Sequence, residues 1–420
     1  MRQTFELIRT DTMLSDAWGR GIAILALLAA LGTGVALGRL GKNQSAASSP
    51  ELVADRVTTA KPGPWGHLEY LPISIECPEE LLPVHAFEST VTHWIFKGYT
   101  VEKYLRLLDE VGISGSLREE LRSAEVLHAV EGGLDVTPTH NIVLNLPAAA
   151  RKPIYTILAA FPENGSSLIF IQAKTVDERF AKSGVSAATI ELFRKLSCEY
   201  GRYVIFSDVP SIFSQIPTYD ERVHFLKALT RQSTMIVKIH VTADADLDGL
   251  MSYWGKACWS KDARPLLESL ARIPGGARLD ISHLLPPSPS ALLYTFPLPA
   301  NPLDGPAVRK DCHYTAFNFF RDPPDARYAN KEFIVERLKE DHFPVPSDPR
   351  YGDLVLFLTP DGQLIHSAVF LADNIVYTKN GDTSLHPWML STVQDLIDQY
   401  SFQVPPDKAL EVKFFRNKYY

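Results

Sequence analysis

The 420-residue chain contains four cysteines, and this scarcity excludes two kinds of protein. Four are too few for a disulfide-stapled scaffold, and no pair of them has the close spacing of a zinc-binding motif. We interpret Cys77, Cys198 and Cys258 as buried thiols, because an unpaired cysteine usually packs as a small apolar side chain. Cys312 lies in a different local pattern and is the candidate for chemistry.

Strong charge, repeats and cofactor motifs are also missing. The formal net charge of −7 is mild for this length and offers no electrostatic basis for binding nucleic acid. The chain has no internal repeat, phosphate-binding glycine loop or dinucleotide fingerprint. His128, His140 and His240 stand singly and are interpreted as structural, so the sequence predicts neither a cofactor nor a metal. With 45% hydrophobic and 22% charged residues, the composition is that of a globular protein with two or three domains.

An apolar run near the start of the chain is the first feature that is present. Residues 21–38 carry no charge, and roughly 18 to 20 apolar residues suffice to span a bilayer. A cleaved signal peptide is the alternative, but the long segment before the run favours an uncleaved anchor. Arg20 precedes the run while Arg39 and Lys42 follow it, so the flanking charges do not decide the orientation.

Changes in composition divide the chain into segments. Small polar residues and prolines dominate 41–64, as they do in flexible linkers. A signal-anchor topology makes the chain a single-pass membrane protein whose bulk lies outside the cytoplasm, in the periplasm. The predicted segments are a tail over 1–20, a transmembrane anchor over 21–40, a linker over 41–64, an unassigned domain over 65–300 and a C-terminal domain over 301–420.

Patterns typical of strands and helices alternate through 65–300, which predicts an α/β or α+β domain. Short runs of β-branched and aromatic residues predict strands at 142–144, 168–171, 203–206 and 235–241. Helical periodicity predicts helices at 101–111, 187–200, 220–230 and 265–272. Nothing in this segment indicates a substrate or a partner.

The most specific pattern lies in the C-terminal segment. Cys312 follows Asp311 and opens an aromatic-rich helical pattern, so its thiol is expected in the first turn of a helix. The positive end of a helix dipole favours the thiolate form. His366 lies in an apolar strand pattern, and an imidazole held there can accept the thiol proton if the two side chains meet. The sequence therefore predicts a nucleophile and a base.

Turn signals place His366 on the second of three consecutive strands. Gly352 and Asp353 lead into the first strand, which ends before a turn at 359–362. The third strand begins after a second turn and carries a polar cluster, Thr378, Lys379 and Asn380.

On these residues the chain resembles the NlpC/P60 and CHAP group of papain-like cysteine peptidases and amidases. The matching pieces are Asp311-Cys312, Gly352-Asp353 before an apolar strand, and His366 followed by an apolar strand and hairpin. The resemblance covers 301–420 and implies an α+β class with a papain-like domain, a helix plus an antiparallel sheet. It also implies a peptide or peptidoglycan-like substrate, since members commonly hydrolyse amide bonds of bacterial cell-wall peptides.

Two further matches and two departures qualify the resemblance. Tyr314-Thr315 and the segment 378–381 are similar to those of uncharacterised, membrane-anchored bacterial proteins of this type. The family often has Ser-Gly after its cysteine, where this chain has His313-Tyr314. The usual aromatic-Gly-Gly sequence before the cysteine is replaced by 305–310.

The resemblance implies a third catalytic residue that orients the imidazole from the next strand. Ungapped matching gives Thr378, whereas a three-residue turn places Asn380 opposite His366 on the same face. We predict Asn380, with Thr378 as the alternate, because both have an oxygen that accepts from an imidazole N–H. Lys379 has no acceptor and faces the other side in that register.

The implied chemistry is acyl transfer. The Cys312 thiolate attacks an amide carbonyl, His366 acts as base and then as acid, and the backbone N–H of Cys312 helps bind the oxyanion. Arg309 and Lys310 either assist the thiol and attract acidic substrates or are solvated loop charges. The sequence thus predicts a membrane-anchored cysteine hydrolase. An acyltransferase uses the same thioester chemistry, and the main alternative is a non-catalytic binding or scaffold protein that keeps the papain-like domain.

Overall fold

A computed structural model describes residues 57–164, 168–256, 260–298, 308–405 and 407–419. The predicted tail and anchor, most of the predicted linker, and Cys258 lie outside these residues. Within them, every helix is too short or too polar to cross a membrane.

The strands of the described residues form four sheets, and all neighbouring strands within them are antiparallel. The strand orders are β1-β2-β9-β10, β11-β16-β12-β13-β14-β15, β3-β5-β4 and β6-β8-β7. This architecture confirms the α+β class at the level of secondary structure. The strands are β1 (Thr58–Thr59), β2 (His67–Ile75), β3 (Trp94–Lys97), β4 (Leu127–Val130), β5 (Gly133–Val136), β6 (Ile169–Gln172), β7 (Cys198–Tyr200), β8 (Tyr203–Phe206), β9 (Gln232–Val241), β10 (Ala277–Asp280), β11 (His342–Val345), β12 (Leu354–Leu358), β13 (Leu364–Ala372), β14 (Ile375–Lys379), β15 (Trp388–Thr392) and β16 (Glu411–Asn417).

Helices connect the strands and cover the sheets. Most are short, and several begin at a side chain that accepts a backbone N–H, as capping requires. The α-helices are α1 (Val84–Ser89), α2 (Val101–Glu110), α3 (Gly115–Arg122), α4 (His140–Asn145), α5 (Ala148–Ala159), α6 (Val176–Phe180), α7 (Ala187–Leu196), α8 (Val209–Phe213), α9 (Tyr219–Thr230), α10 (Leu247–Trp254), α11 (Ser260–Ala271), α12 (Pro287–Leu292), α13 (Cys312–Phe317), α14 (Lys331–Asp341) and α15 (Val393–Tyr400).

The described chain forms two compact units. The first unit joins 57–81 with the residues after Leu229 and contains the four-stranded and six-stranded sheets. The second unit is Leu82–Leu229 and contains the two three-stranded sheets. The structure therefore divides the chain at different places from the predicted boundary near residue 300.

Contacts from β9 and α10 explain why 230–298 belong with the C-terminal segment. The Thr234 hydroxyl donates to the Leu390 carbonyl at 2.7 Å, and the Tyr253 hydroxyl donates to the Leu371 carbonyl at the same distance. Both bonds are buried, where an unpaired polar group would be costly. These residues form one core with the six-stranded sheet.

The six-stranded sheet is buried on both faces. One face carries Leu356 and Val369 and shares a core with helix α13. The other face carries Phe357 and Ala368 and packs on Leu396 of α15. Burial of both faces explains why β12 and β13 are almost continuously apolar and do not alternate with polar residues.

Most predicted elements of the middle segment are confirmed within a few residues, with two corrections. The segment 142–144 is helical, within α4, because the Thr139 side chain accepts from the Ile142 N–H and starts a helix there. A short apolar run does not distinguish a strand from a buried helix. The helix predicted over 187–200 ends at Leu196, and the following residues form β7.

Gly352 and Asp353 position the start of β12. Gly352 has a φ of +86°, and a Cβ there would lie 2.3 Å from the Phe320 ring. Asp353 is buried, accepts from the Arg350 backbone N–H at 2.7 Å and is held by two nitrogens of Arg416. Both residues of this pair therefore support the sheet.

Candidate functional site

Cys312 is the first residue of α13, as the sequence predicts. The Asp311 side chain caps the helix by accepting from the Tyr314 N–H at 2.8 Å. All six residues of the helix are buried, and Cys312 is 7% exposed. The thiol therefore lies at a helix start but within the core.

Burial dominates the electrostatics of the thiol. It raises the pKa of Cys312 to about 12, and the carboxylate of Asp311 acts in the same direction. The backbones of Ser367 and His313 and the charge of Lys379 lower this pKa, but by less. At neutral pH the thiol is protonated, so the expected thiolate is not found. The loss of solvation is the largest influence on this pKa, ahead of the charges and backbone contacts around the thiol.

His366 lies in β13, directly opposite Phe357 of β12. Its ring is 0% exposed and stacks on Tyr400 of α15 with centroids 4.2 Å apart. Burial lowers the pKa of His366 well below its ordinary value. The imidazole is therefore neutral at physiological pH and has one nitrogen that can accept a proton.

A chain of hydrogen bonds determines which nitrogen of His366 carries the proton. The Thr378 hydroxyl lies 2.9 Å from Nε2 and donates to Asn380 Oδ1 at 3.5 Å. Because that hydroxyl donates onward, it accepts from an Nε2–H of His366. Asn380 Nδ2 in turn donates to Gln399 Oε1 at 2.9 Å. The lone pair of His366 is thus on Nδ1, which is buried and has no hydrogen-bond partner among the described atoms.

Thr378 contacts the imidazole directly, and Asn380 lies one step behind it. The paired stretch of β13 and β14 runs from Val369 with Tyr377 to Ala372 with Ile375. His366 and Thr378 lie beyond this stretch, and their side chains make the contact between the two strands there. The structure brings together both residues considered for the third position, with the alternate in contact.

Cys312 and His366 approach the same part of β13 from different sides. His366 faces Phe357 and Tyr400, whereas Ser367 faces α13 and its Oγ lies 2.8 Å from His313 Nδ1. The backbone of Ser367 hydrogen-bonds the Cys312 sulfur. The hydrogen bonds of the described residues include none between Cys312 and His366.

Cys312 interacts electrostatically with groups on both faces of the sheet. These are Lys379, on the α13 side, and Tyr400, on the α15 side.

Lys379 is a buried cation beside the candidate site, where the sequence analysis gave it no role. Its side chain is 0% exposed, and Nζ donates to the carbonyls of Gly381 at 2.7 Å and Thr383 at 3.2 Å. Burial lowers its pKa to about 8, while nearby Asp382 and Cys312 raise it. In the predicted register, the Lys379 side chain faces away from His366. That orientation places it on the side of the sheet that faces Cys312.

Arg309 is engaged by carboxylates at the edge of this site. It lies 3.0 Å from Asp382 and 3.7 Å from Asp311. These carboxylates partly neutralise the positive charge of Arg309, which weakens its electrostatic effect on the Cys312 thiol. Within the described residues, the group of three side chains that could hold a metal lies elsewhere, in the four-stranded sheet.

Comparison with known proteins gives no identification for this arrangement. No family model, curated protein or solved structure matches the chain. The resemblance to NlpC/P60 enzymes stays a prediction, and function is argued from the geometry of Cys312, His366 and Thr378.

Proposed function

We propose that the chain is a membrane-anchored cysteine hydrolase that cleaves peptide or amide bonds with Cys312 as nucleophile and His366 as base. The proposal includes a papain-like domain of the NlpC/P60 type over 301–420 and a peptide or peptidoglycan-like substrate in the periplasm. The observation that carries it is Nδ1 of His366, a buried lone pair without a partner. Buried polar atoms are nearly always paired, so an exception at a basic nitrogen favours a catalytic use.

The reaction proceeds through a thioester. The Cys312 proton passes to His366 Nδ1, and the sulfur forms a bond to the amide carbon. The tetrahedral intermediate expels the amine, which takes the proton from His366. Water then loses a proton to His366, attacks the thioester and releases the carboxylic acid product while the thiol is reformed.

Thr378 and Asn380 act as positioning residues. They hold the Nε2–H of His366 and so keep the lone pair on Nδ1. They also stabilise the imidazolium that forms after proton transfer, since Nε2 donates in both protonation states. Lys379 supports the same step, because its buried ammonium lowers the pKa of Cys312.

The resting geometry requires one rearrangement. Cys312 and His366 are not hydrogen-bonded, and catalytic hydrogen bonds in ligand-free structures commonly tighten when substrate binds. In the proposed complex, a bound substrate carbonyl draws the Cys312 sulfur toward Nδ1 of His366.

A non-catalytic binding or scaffold function is the alternative. The raised pKa of Cys312 favours it, because a protonated buried thiol is inert. In that case the domain binds peptides without turnover, and Nδ1 of His366 is paired by the bound partner.

An electrophilic peptide probe that reacts with activated thiols separates the two functions. The full-length chain is incubated with the probe at pH 7, and labelled sites are assigned by peptide mass spectrometry. We expect labelling at Cys312, its complete loss in Cys312→Ala, and a loss of at least about 100-fold in rate in His366→Gln. Cys198→Ala is the matched control, since this half-buried thiol lies in the other unit.

Circular dichroism of each variant shows whether it is folded. A folded wild type that stays unlabelled at Cys312 supports the binding function and removes the hydrolase proposal. Labelling that survives His366→Gln contradicts the assignment of His366 as base. Release of new amino groups from cell-wall peptides, absent in Cys312→Ala, tests the substrate class.

A further inference from the structure

Three metal-ligating side chains meet on one face of the four-stranded sheet. His67 opens β2 and lies directly opposite His240 of β9, and Glu69 follows two residues along β2. Side chains alternate along a strand, so all three project from the same face. One ligand atom from each residue lies within 4.8 Å of the other two, and the imidazole centroids are 5.7 Å apart.

The ring of His240 is already oriented by a backbone contact. Its Nε2 lies 3.2 Å from the Gly275 carbonyl, which can only accept, so Nε2 carries the proton. The lone pair is then on Nδ1. Gly276, with a φ of +76°, lets this loop approach, since a Cβ there would lie 2.9 Å from Nε2. Metal-binding histidines typically donate their second ring N–H in this way.

Glu69 is oriented by Arg278 of the neighbouring strand β10. Arg278 Nε lies 2.6 Å from one carboxylate oxygen, and its terminal nitrogen Nη2 lies 2.9 Å from the other. This two-point contact fixes the orientation of the Glu69 carboxylate. An ionised carboxylate has about four lone-pair sites, and two remain for a cation.

We infer that His67, Glu69 and His240 bind a divalent transition-metal ion of the zinc class. Two imidazole nitrogens and one carboxylate oxygen are the donors that Zn²⁺ accepts, whereas Ca²⁺ and Mg²⁺ require oxygen ligands. Three protein ligands leave a fourth position for water or an external group. The positive charges of Arg278 and of Lys238, which lies opposite Glu69, disfavour cations held by charge alone.

This inference is independent of the proposed hydrolase, because the site lies in another sheet and uses neither Cys312 nor His366. Neither histidine by itself indicates a metal site in the sequence. The pairing of β2 with β9 is what brings them together. The hydrogen bonds to Gly275 and Arg278 distinguish the group from a chance meeting of exposed side chains, since they pre-set the two ligands that they hold.

Isothermal titration of ZnCl₂ into the tag-free, chelator-treated full-length chain tests the inference. We expect one equivalent of Zn²⁺ to bind with a micromolar or lower Kd, and no binding of Mg²⁺ under the same conditions. His67→Ala and His240→Ala each weaken binding by at least about 10-fold, and Arg278→Gln weakens it by about 10-fold by releasing Glu69.

Two matched controls keep the result specific. His128→Ala removes an exposed histidine of the other unit and leaves binding unchanged, and Cys312→Ala shows that the thiol is not the ligand. All altered side chains of the site are at the surface or half-buried, so the variants are expected to fold, as circular dichroism verifies. Absence of stoichiometric binding, or binding that persists in both histidine variants, overturns the inference.

Discussion

Two buried polar clusters, one in each unit, are built in different ways. In Leu82–Leu229, Arg151 lies 3.1 Å from Asp208 Oδ2, the Tyr155 hydroxyl bonds the same oxygen, and neither charged side chain exceeds 1% exposure. In the other unit, the buried chain that begins at His366 is neutral throughout. The charge of Arg151 favours the ionised form of Asp208, whereas a neutral imidazole with an unpaired nitrogen can take up and release a proton.

Unpaired atoms alone do not distinguish the two clusters. Arg151 Nε and Asp208 Oδ1 also lack hydrogen-bond partners. The difference is the group that carries the unpaired basic atom, a carboxylate oxygen beside a guanidinium in the first cluster and the imidazole Nδ1 of His366 in the second. Under the proposed function, the second cluster carries the acid–base chemistry.

Burial shifts the pKa values of the two clusters in opposite directions. Burial raises the pKa of Asp208 to about 6, although Arg151 and Tyr155 lower it. Burial lowers the pKa of His366 well below its ordinary value. In each case the charged form is disfavoured, but that form is the deprotonated carboxyl in one and the protonated imidazole in the other.

Breaking the buried ion pair has the largest expected effect. Arg151→Met removes the partner of Asp208 and is expected to lower the free energy of unfolding by about 3–5 kcal/mol. Arg194→Met is the matched control, because the pair of Arg194 with Asp177 is exposed and contributes at most about 1 kcal/mol. Urea denaturation measures both, and equal losses would contradict the structural assignment.

The labelling rates of Cys312 and Cys198 compare the reactivity of one thiol in each unit. Burial raises both pKa values, to about 12 and about 11. If the chain is a hydrolase, the peptide probe should label Cys312 at least about 100-fold faster than Cys198 at pH 7. The reason is that the proposed base, His366, serves Cys312. Faster labelling of Cys198 would favour the binding function. Peptide mass spectrometry gives both rates from one sample.

Thr378→Val tests the series of buried hydrogen bonds that begins at His366. It leaves the Nε2–H of His366 buried without an acceptor, which is expected to cost about 1–3 kcal/mol and to slow labelling of Cys312. Thr378→Ser keeps the hydroxyl and should restore both properties in most part. Denaturation and labelling are measured on the same preparations, and a valine variant with unchanged labelling removes the positioning role of Thr378.

The opposite pKa shifts predict opposite pH dependence of local stability. The unfolded chain binds a proton at His366 below about pH 6.5 that the folded unit does not, so acidification from pH 7 to 5 destabilises that unit. The raised pKa of Asp208 contributes stability that is lost as pH rises through about 6, so the same acidification stabilises Leu82–Leu229. Each group contributes at most about 1.4 kcal/mol per pH unit.

Hydrogen exchange, corrected for intrinsic rates, measures this contrast in peptides from β13 and α8. We expect the opening free energy of β13 to fall relative to that of α8 as pH decreases from 7 to 5. His313 shares the lowered pKa of His366 and acts in the same direction. If the opening free energies of the two units changed in parallel with pH, the predicted contrast between them would be wrong.

Local sequence patterns were sufficient for the elements that carry the site. A capping aspartate before Cys312 and an apolar run around His366 are short-range signals, and the helix and strand occur where they predict. The run at 142–144 is helical despite its apolar, β-branched composition, because Thr139 caps the helix that contains it. The division into compact units depends on contacts such as that of Thr234 with Leu390, which are far apart in sequence.

The sequence alone determined that Cys312 opens a helix, that His366 lies in a buried strand and that a polar cluster follows on the next strand. These features follow from interactions among near neighbours in the chain. The tertiary structure decided that Thr378 is the residue in contact with His366, because the register of β13 with β14 sets which side chains meet.

Tertiary structure also decided that burial raises the pKa of Cys312 and that His67 meets Glu69 and His240 on one sheet face. Desolvation depends on everything packed around a group, and strand pairing joins residues that no short window of sequence contains together.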